Sequence, residues 1–241
     1  MPRPVCAIVG AGEGLGRSLA VKFASNGHDI ALVSRTEKGS SSAFDAASKT
    51  GANVRFFPAD VTKPESIEQA CADIARKLDE IDLLIYNVRS EFVACEPLDL
   101  SYSDLEANFQ VEVVGAFAAA KAVLPSMIKR GSGSVFFSSA TAAFRGSATY
   151  PHYAIGKFGL RALSQSLAKA YSKNGVHIAH FRLDCDLDVP AMRQLYGDRY
   201  KPGLLANPDD VAESYLLTYL QPKSAWSNEV EIRPHTEKWT Y

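Results

Sequence analysis

Tyr153 and Lys157 stand four residues apart in a segment whose pattern predicts a helix over Tyr153–Ser172, so both side chains share one face. A free phenol titrates at about 10. A neighbouring ammonium favours the phenolate and lowers that value. Such a tyrosine passes a proton to or from a substrate oxygen near neutral pH. Tyr-x-x-x-Lys alone is a common surface pattern, and it gains weight from Phe137-Ser138-Ser139 upstream, at the end of the apolar run Val135–Ser138. A hydroxyl at a strand's carboxyl end can hydrogen-bond a carbonyl oxygen as charge builds on it. Tyr150 does not duplicate Tyr153, because its neighbour four residues on is Ala154.

A second constellation lies near the start of the chain. The β-rich run Val5–Val9 leads into Gly10-Ala11-Gly12-Glu13-Gly14-Leu15-Gly16, after which Leu15, Leu19, Ala20 and Phe23 recur at helical spacing. Glycines permit a tight turn and a close backbone approach to a pyrophosphate, and the helix N-terminus offers unpaired N–H groups. Strand before and helix after are the context a dinucleotide site needs. The second strand ends in Val33-Ser34-Arg35, where a site preferring NAD carries an acidic residue for the ribose 2′-hydroxyl. A forked, planar guanidinium suits a 2′-phosphate instead, and Ser34 adds a hydrogen bond. NADP(H) is therefore the expected cofactor, with NAD(H) still admissible. Glu13 opposes that preference if its carboxylate lies near the same phosphate.

The elements that position these groups alternate. After the first strand, strands are predicted at Ile30–Val33, Val54–Phe57, Leu83–Tyr86, Val135–Ser138, Val176–Leu183 and Val230–Arg233. Helices are predicted at Ser66–Leu78, with Pro64 as a start signal, and at Asp104–Lys129, Tyr153–Ser172 and Pro208–Leu220. Pro125 is expected to bend the end of the long second helix. Ser40-Ser41-Ser42 reads as a polar loop, and the weakly periodic stretch from Asp184 to Asn207 reads as an irregular flap. Apolar strands without polar alternation are buried on both faces. The expected fold is α/β: a doubly wound Rossmann fold of about seven parallel strands with helices on both faces, in a single domain over 1–241.

Composition narrows the function classes. The 241 residues are 46% hydrophobic and 22% charged, and 26 basic against 27 acidic side chains leave a net charge of −1. No basic excess is available for a nucleic-acid backbone. The apolar run Val113 to Ala120, closed by Glu112 and Lys121, is far shorter than the roughly 20 residues of a membrane span. Met1-Pro2-Arg3-Pro4 lacks the apolar stretch of a signal peptide. Cys6, Cys71, Cys95 and Cys185 form no Cys-x-x-Cys pair, so reduced thiols in a cytoplasmic protein are expected and no metal site is.

Together these motifs resemble the short-chain dehydrogenase/reductase family over nearly the whole chain, from Val5 to the last strand near Arg233. Gly10, Gly14 and Gly16 match its Thr-Gly-x-x-x-Gly-x-Gly turn, with Val9 in the Thr place. Asp60-Val61 matches the acidic–aliphatic pair that holds the adenine ring. Ser139, Tyr153 and Lys157 match the catalytic Ser, Tyr and Lys; the Ser–Tyr gap is one residue longer than the family pattern, so Ser138 stays a rival for the serine role. The resemblance implies hydride transfer between C4 of nicotinamide and a carbonyl or alcohol carbon, with Tyr153 as acid/base. Lys157 would bind the nicotinamide ribose and depress the Tyr153 pKa, and Ser139 would orient the carbonyl.

Three departures from the family pattern stand out. Asn-Asn-Ala-Gly appears as Tyr86-Asn87-Val88-Arg89, keeping Asn87 and Val88 for the cofactor and expected to turn Arg89 outward. The catalytic Asn three residues before a glycine becomes Glu112 before Gly115, whose carboxylate is expected to stabilise the Lys157 ammonium, raise the Tyr153 pKa and move the pH optimum up. After strand six, Asp184-Cys185 replaces Pro-Gly, and Leu187 and Val189 fall where the backbone meets the nicotinamide amide. The acidic residues there disfavour a nearby anionic substrate. His152 is expected to line the pocket. The stretches Ala140-Thr141-Ala142-Ala143-Phe144-Arg145-Gly146 and Ile178-Ala179-His180-Phe181 are similar to a less-studied bacterial branch.

The leading expectation is thus an NADP(H)-dependent oxidoreductase acting on a small-molecule carbonyl or alcohol. The alternative is a cofactor-binding relative whose departures have removed turnover, leaving a sensor or scaffold. A homodimer or homotetramer through the two long helices is expected, because the apolar run around the first must be covered.

Overall fold

The computed structural model describes residues 2–236, so residue 1 and residues 237–241, at the two ends of the expected domain, lie outside the described residues. Seven strands form one sheet: β1 (Val5–Val9), β2 (Asp29–Ser34), β3 (Val54–Pro58), β4 (Ile81–Tyr86), β5 (Gly133–Ala140), β6 (Val176–Leu183) and β7 (Glu229–Ile232). Their order is β3-β2-β1-β4-β5-β6-β7, and every pair is parallel. The order reverses beside β1, and the crevice at the carboxyl ends of β1 and β4 is where such sheets bind ligands.

Alternation along the strands divides the core in two. Val5, Ala7 and Val9 face one cluster with α3 (Pro64–Lys77), α5 (Gly115–Arg130) and α6 (Pro151–Tyr171). Cys6 and Ile8 face the other with α1 (Leu15–Ser25), α2 (Glu37–Ser48) and α8 (Pro208–Tyr219). On β5 the same parity sends Val135 and Phe137 toward α6 and Phe136 toward α8. Ser138 and Ser139 therefore leave the strand on opposite faces.

Three elements differ from the sequence expectation. Ser40-Ser41-Ser42 is not a loop: it lies inside α2, where the Thr36 hydroxyl accepts from the Gly39 N–H as N-cap. Ser40, Ala43 and Ala47 are the buried stripe, so small residues with weak helix preference are held by packing. The flap from Asp184 contains α7 (Pro190–Tyr196) and a bridge between Leu187 and Ala206, pinned by the Asp188–Arg193 ion pair at 2.5 Å. The long helix is broken into α4 (Tyr102–Phe109), a π turn at Gln110–Val114, and α5, which carries Pro125 in its interior.

A buried phenol meets the π turn. The Tyr86 hydroxyl donates to the Val111 carbonyl at 2.5 Å, and Gly115 leaves room for it: a Cβ there would sit 2.6 Å from both Tyr86 Oη and the Val61 carbonyl. One widened turn re-aims the following side chains. The stretch Tyr102–Arg130 averages a hydropathy of 1.6 over its most apolar window, enough by length and composition for a membrane crossing. Half of that window is buried within the domain, and core helices pass the same test.

Glycines on α6 let it cross this irregular helix closely. A Cβ at Gly156 would stand 2.3 Å from Asn108 Oδ1 and 2.9 Å from Glu112 Cβ, and one at Gly159 2.7 Å from Val113 Cγ2. Gly156→Ala should therefore lower unfolding stability by about 1–3 kcal/mol through overpacking, despite alanine's better helix preference. Denaturant unfolding monitored by circular dichroism measures it.

Candidate functional site

Tyr153 and Lys157 start from the first turns of α6 and are both buried, at 7% and 2% exposure. The Lys157 ammonium lies 5.5 Å from the Tyr153 ring centre, as one helical turn requires. It also donates to the Ser138 carbonyl at 3.5 Å. Ser139, on the β5 face shared with α6, has a buried hydroxyl with no hydrogen-bond partner among the described residues. Ser138 has no such freedom, because its hydroxyl pairs with Tyr215 Oη at 2.8 Å under α8. Strand parity thus separates the two rival serines: Ser139 is on the Tyr153 side and Ser138 is not.

Glu112 is fully buried, and its Oε2 lies 2.8 Å from Lys157 Nζ. Its Oε1 accepts from both the N–H and the hydroxyl of Ser90, each at 2.8 Å. Asn108 Nδ2 donates to the same Ser90 hydroxyl at 2.7 Å. Ser90 and Asn108 were not anticipated from the sequence. Asn108 precedes Glu112 by four residues, a spacing that could have placed it on the same helical face. Two charge-assisted hydrogen bonds and one ion pair satisfy a carboxylate in the dry interior, where an unpaired one would be very costly.

These charges act on the tyrosine in opposite senses. Burial pushes the Tyr153 phenol up, the Lys157 ammonium pulls it down, and the Glu112 carboxylate pushes it up again; Arg89 lowers it and Asp186 raises it less. The net position is above the ordinary value, because burial and the Glu112 carboxylate together outweigh the pull of the ammonium. Burial pulls Lys157 down, but Glu112 and Tyr153 push it up by more, so the ammonium stays charged.

A cavity of about 770 Å³ runs from the glycine turn along the carboxyl ends of β1, β2 and β4. Gly10 and Gly12, Ser34 and Arg35, Asp60 and Val61, and Asn87 and Val88 all line it. The protein's own backbone demands two of the glycines: a Cβ at Gly10 would lie 2.6 Å from the Asn87 carbonyl oxygen, and one at Gly16 2.7 Å from that of Gly10. A Cβ at Gly12 would meet nothing within 4 Å, so its bareness serves whatever enters the cavity. Asn87 ties the cradle by donating to the Gly10 carbonyl at 3.1 Å. Asp60 accepts from the Thr62 N–H and hydroxyl, which hold its carboxyl below the usual range. The Ser34 hydroxyl is engaged by Ser40 and the Thr36 carbonyl at the start of α2. Backbone, the Arg35 guanidinium and the Asp60 carboxylate on this wall are groups that suit one nucleotide half of a dinucleotide.

Other anticipated residues fall elsewhere. Glu13 is exposed on the glycine turn and does not line the cavity. Leu15 and Gly16 are buried, Leu15 within the core beneath the turn, and a Cβ at Gly14 would rest 3.4 Å from Val189. Leu187 packs against the core around α8 rather than into the cavity. Arg89, expected to point outward, is exposed yet stands on the cavity wall, and its charge reaches Tyr153 and Lys157. The acidic flap is largely self-neutralised: Asp184 pairs with Arg233 at 2.5 Å, Asp188 with Arg193, and Asp186 accepts from Tyr196 Oη at 2.8 Å. Phe92 was also missed; it stacks on Tyr150 at 3.8 Å and meets Tyr153 edge-on at 5.0 Å, covering the phenol ring.

The family model described as short chain dehydrogenase matches residues 4–183. An uncharacterized oxidoreductase of Staphylococcus aureus (strain MRSA252) is 24% identical over 230 residues, covering 95% of this chain and 96% of its own. A short-chain dehydrogenase from Rhodopseudomonas palustris has 26% identity and a TM-score of 0.81, over 96% of this chain and 99% of that one. An alcohol dehydrogenase from the archaeon Thermococcus sibiricus, complexed with 5-hydroxy-NADP, superposes at a TM-score of 0.84 over 99% of each chain. At 22% identity, that likeness speaks for the fold alone. With most of its length matched by the family model and an oxidoreductase relative aligned end to end, this chain belongs to the short-chain dehydrogenase family and is an NAD(P)-dependent oxidoreductase.

Proposed function

We propose that the protein is an NADP(H)-dependent oxidoreductase interconverting a carbonyl and an alcohol of a small-molecule substrate, with Tyr153 as acid/base. The observation that carries it is the buried, unpartnered Ser139 hydroxyl on the same face as Tyr153 and Lys157. A buried hydroxyl without a partner is costly unless a ligand completes it. Bound nicotinamide supplies or takes up the hydride at its C4. In the reducing direction Tyr153 Oη gives its proton to the carbonyl oxygen, and Ser139 Oγ donates a hydrogen bond to that oxygen as it gains charge. Lys157 stabilises the phenolate that remains, and Glu112 keeps the lysine charged in a site closed to water. Gly12, Asn87 and Val88 on the cavity wall would hold the cofactor beside the glycine turn, and Asp60 and Val61 would flank its adenosine.

Arg35 on the cavity wall, beside the N-terminus of α2, supports a 2′-phosphate over a 2′-hydroxyl. The exposed Phe109, Phe117, Ile155 and Phe158 on α4–α6 support a second copy of the chain as the partner of that face.

NADPH oxidation against a panel of aldehydes, ketones and quinones tests the main reading. Turnover should fall by roughly 10²–10⁴-fold in Tyr153→Phe while NADPH binding stays within a few fold; cofactor binding with no turnover on any panel member overturns it. NADPH should bind more tightly than NADH by calorimetry, and Arg35→Ala should weaken NADPH binding by about tenfold or more while leaving NADH nearly unchanged. In the oxidising direction the phenolate is the base, so a raised Tyr153 pKa places the rising limb of the rate at high pH. Glu112→Asn removes the carboxylate that pushes Tyr153 up, and the kcat profile should move to lower pH; an unmoved profile contradicts the role. Light scattering at micromolar concentration should give at least twice the 26.1 kDa chain mass, and Phe158→Glu should reduce it.

A further inference from the structure

We propose that Cys95 and His152 form a nucleophile–base pair that takes a soft carbon electrophile, an α,β-unsaturated carbonyl compound, covalently at Cys95 Sγ on the cavity wall. The pair is separate from Ser139, Tyr153 and Lys157 and does not rest on their roles.

Cys95 Sγ lies 3.8 Å from His152 Nδ1, within the reach of a sulfur hydrogen bond. Both residues line the same 770 Å³ cavity, in a lobe beyond the glycine turn that Val93 and Leu100 make partly apolar. Each partner is held. His152 is in the first turn of α6 and only 6% exposed. The Cys95 N–H donates to the Thr149 carbonyl at 2.9 Å, so the thiol is tethered to the residues leading into that same helix. The stack of Phe92 on Tyr150 fixes the loop three residues earlier.

Two of the other thiols lack this setting. Cys6 and Cys71 are buried in the core, and burial pushes Cys71 up to about 12. Cys185 is half-buried and packs against the core around α8. An adjacent base is the general way a protein activates a nucleophile.

With its own proton on Nε2, neutral His152 accepts the thiol proton at Nδ1. The Sγ–C bond forms at the β-carbon of the unsaturated carbonyl, and the C=C pair shifts to the α-carbon. That carbon then takes the proton from the imidazolium. One S–H and one C=C π bond are exchanged for one S–C and one C–H bond, with no oxidant or reductant.

The test alkylates the folded full-length protein with N-ethylmaleimide, an activated alkene, and maps each cysteine by peptide mass spectrometry over time. Cys95 should react at least about tenfold faster than Cys185, and in concentrated urea the two rates should converge. His152→Gln should slow Cys95 about tenfold while Cys185 keeps its rate. Equal native rates at Cys95 and Cys185, or a Cys95 rate indifferent to His152→Gln, overturns the proposal. Should that variant unfold, Cys6 and Cys71 will label as well, and the native-to-urea ratio of the unmutated protein then decides.

Discussion

A buried ammonium needs compensation, and in this protein the Glu112 carboxylate supplies it; the geometry around Lys157 follows from that constraint. Lys157 is 2% exposed and Glu112 is fully buried, so neither charge can borrow water. Removing one partner of such a pair typically costs about 3–5 kcal/mol, because the other is left uncompensated in low dielectric. The protein therefore surrounds the carboxylate with donors from Ser90, which Asn108 orients in turn. It also needs two backbones close together, and glycine at position 156 makes the approach of α6 to Glu112 sterically allowed. Tyr153 inherits its field from this arrangement: an ammonium whose effect is partly cancelled by the carboxylate behind it.

Much of this was legible in the residues, for identifiable reasons. β1 and β6 have the predicted bounds: Gly10 closes the apolar run of β1, and Gly175 and Asp184 bracket β6. Tyr153 and Lys157 sit together because helical spacing is rigid. The serine ambiguity was resolvable in part: adjacent strand residues must face opposite ways, but which face meets α6 is a tertiary fact. α2 was hidden by its composition, since serines and Gly39 favour loops until Ala43 and Ala47 find a core to pack against. The π turn left no trace in hydrophobic periodicity, because Val113 to Ala120 is apolar all round and any register looks the same.

The departures from the family's pattern, read one by one, look like independent losses. In space two of them are one rearrangement. Tyr86 replaces a small amide with a phenol that reaches across to donate to the Val111 carbonyl within the π turn. The glycine retained at 115 is bare where a Cβ would collide with that phenol oxygen and with the Val61 carbonyl. The helix widens at Gln110–Val114, and the residue presented to Lys157 from the widened turn is Glu112. Arg89, three residues after Tyr86 on the same loop, adds a cation that favours the Tyr153 phenolate, opposite in sign to Glu112. A changed strand end, a changed helix turn and a changed charge balance thus meet at one lysine, which argues for a retuned proton-transfer site rather than an eroded one.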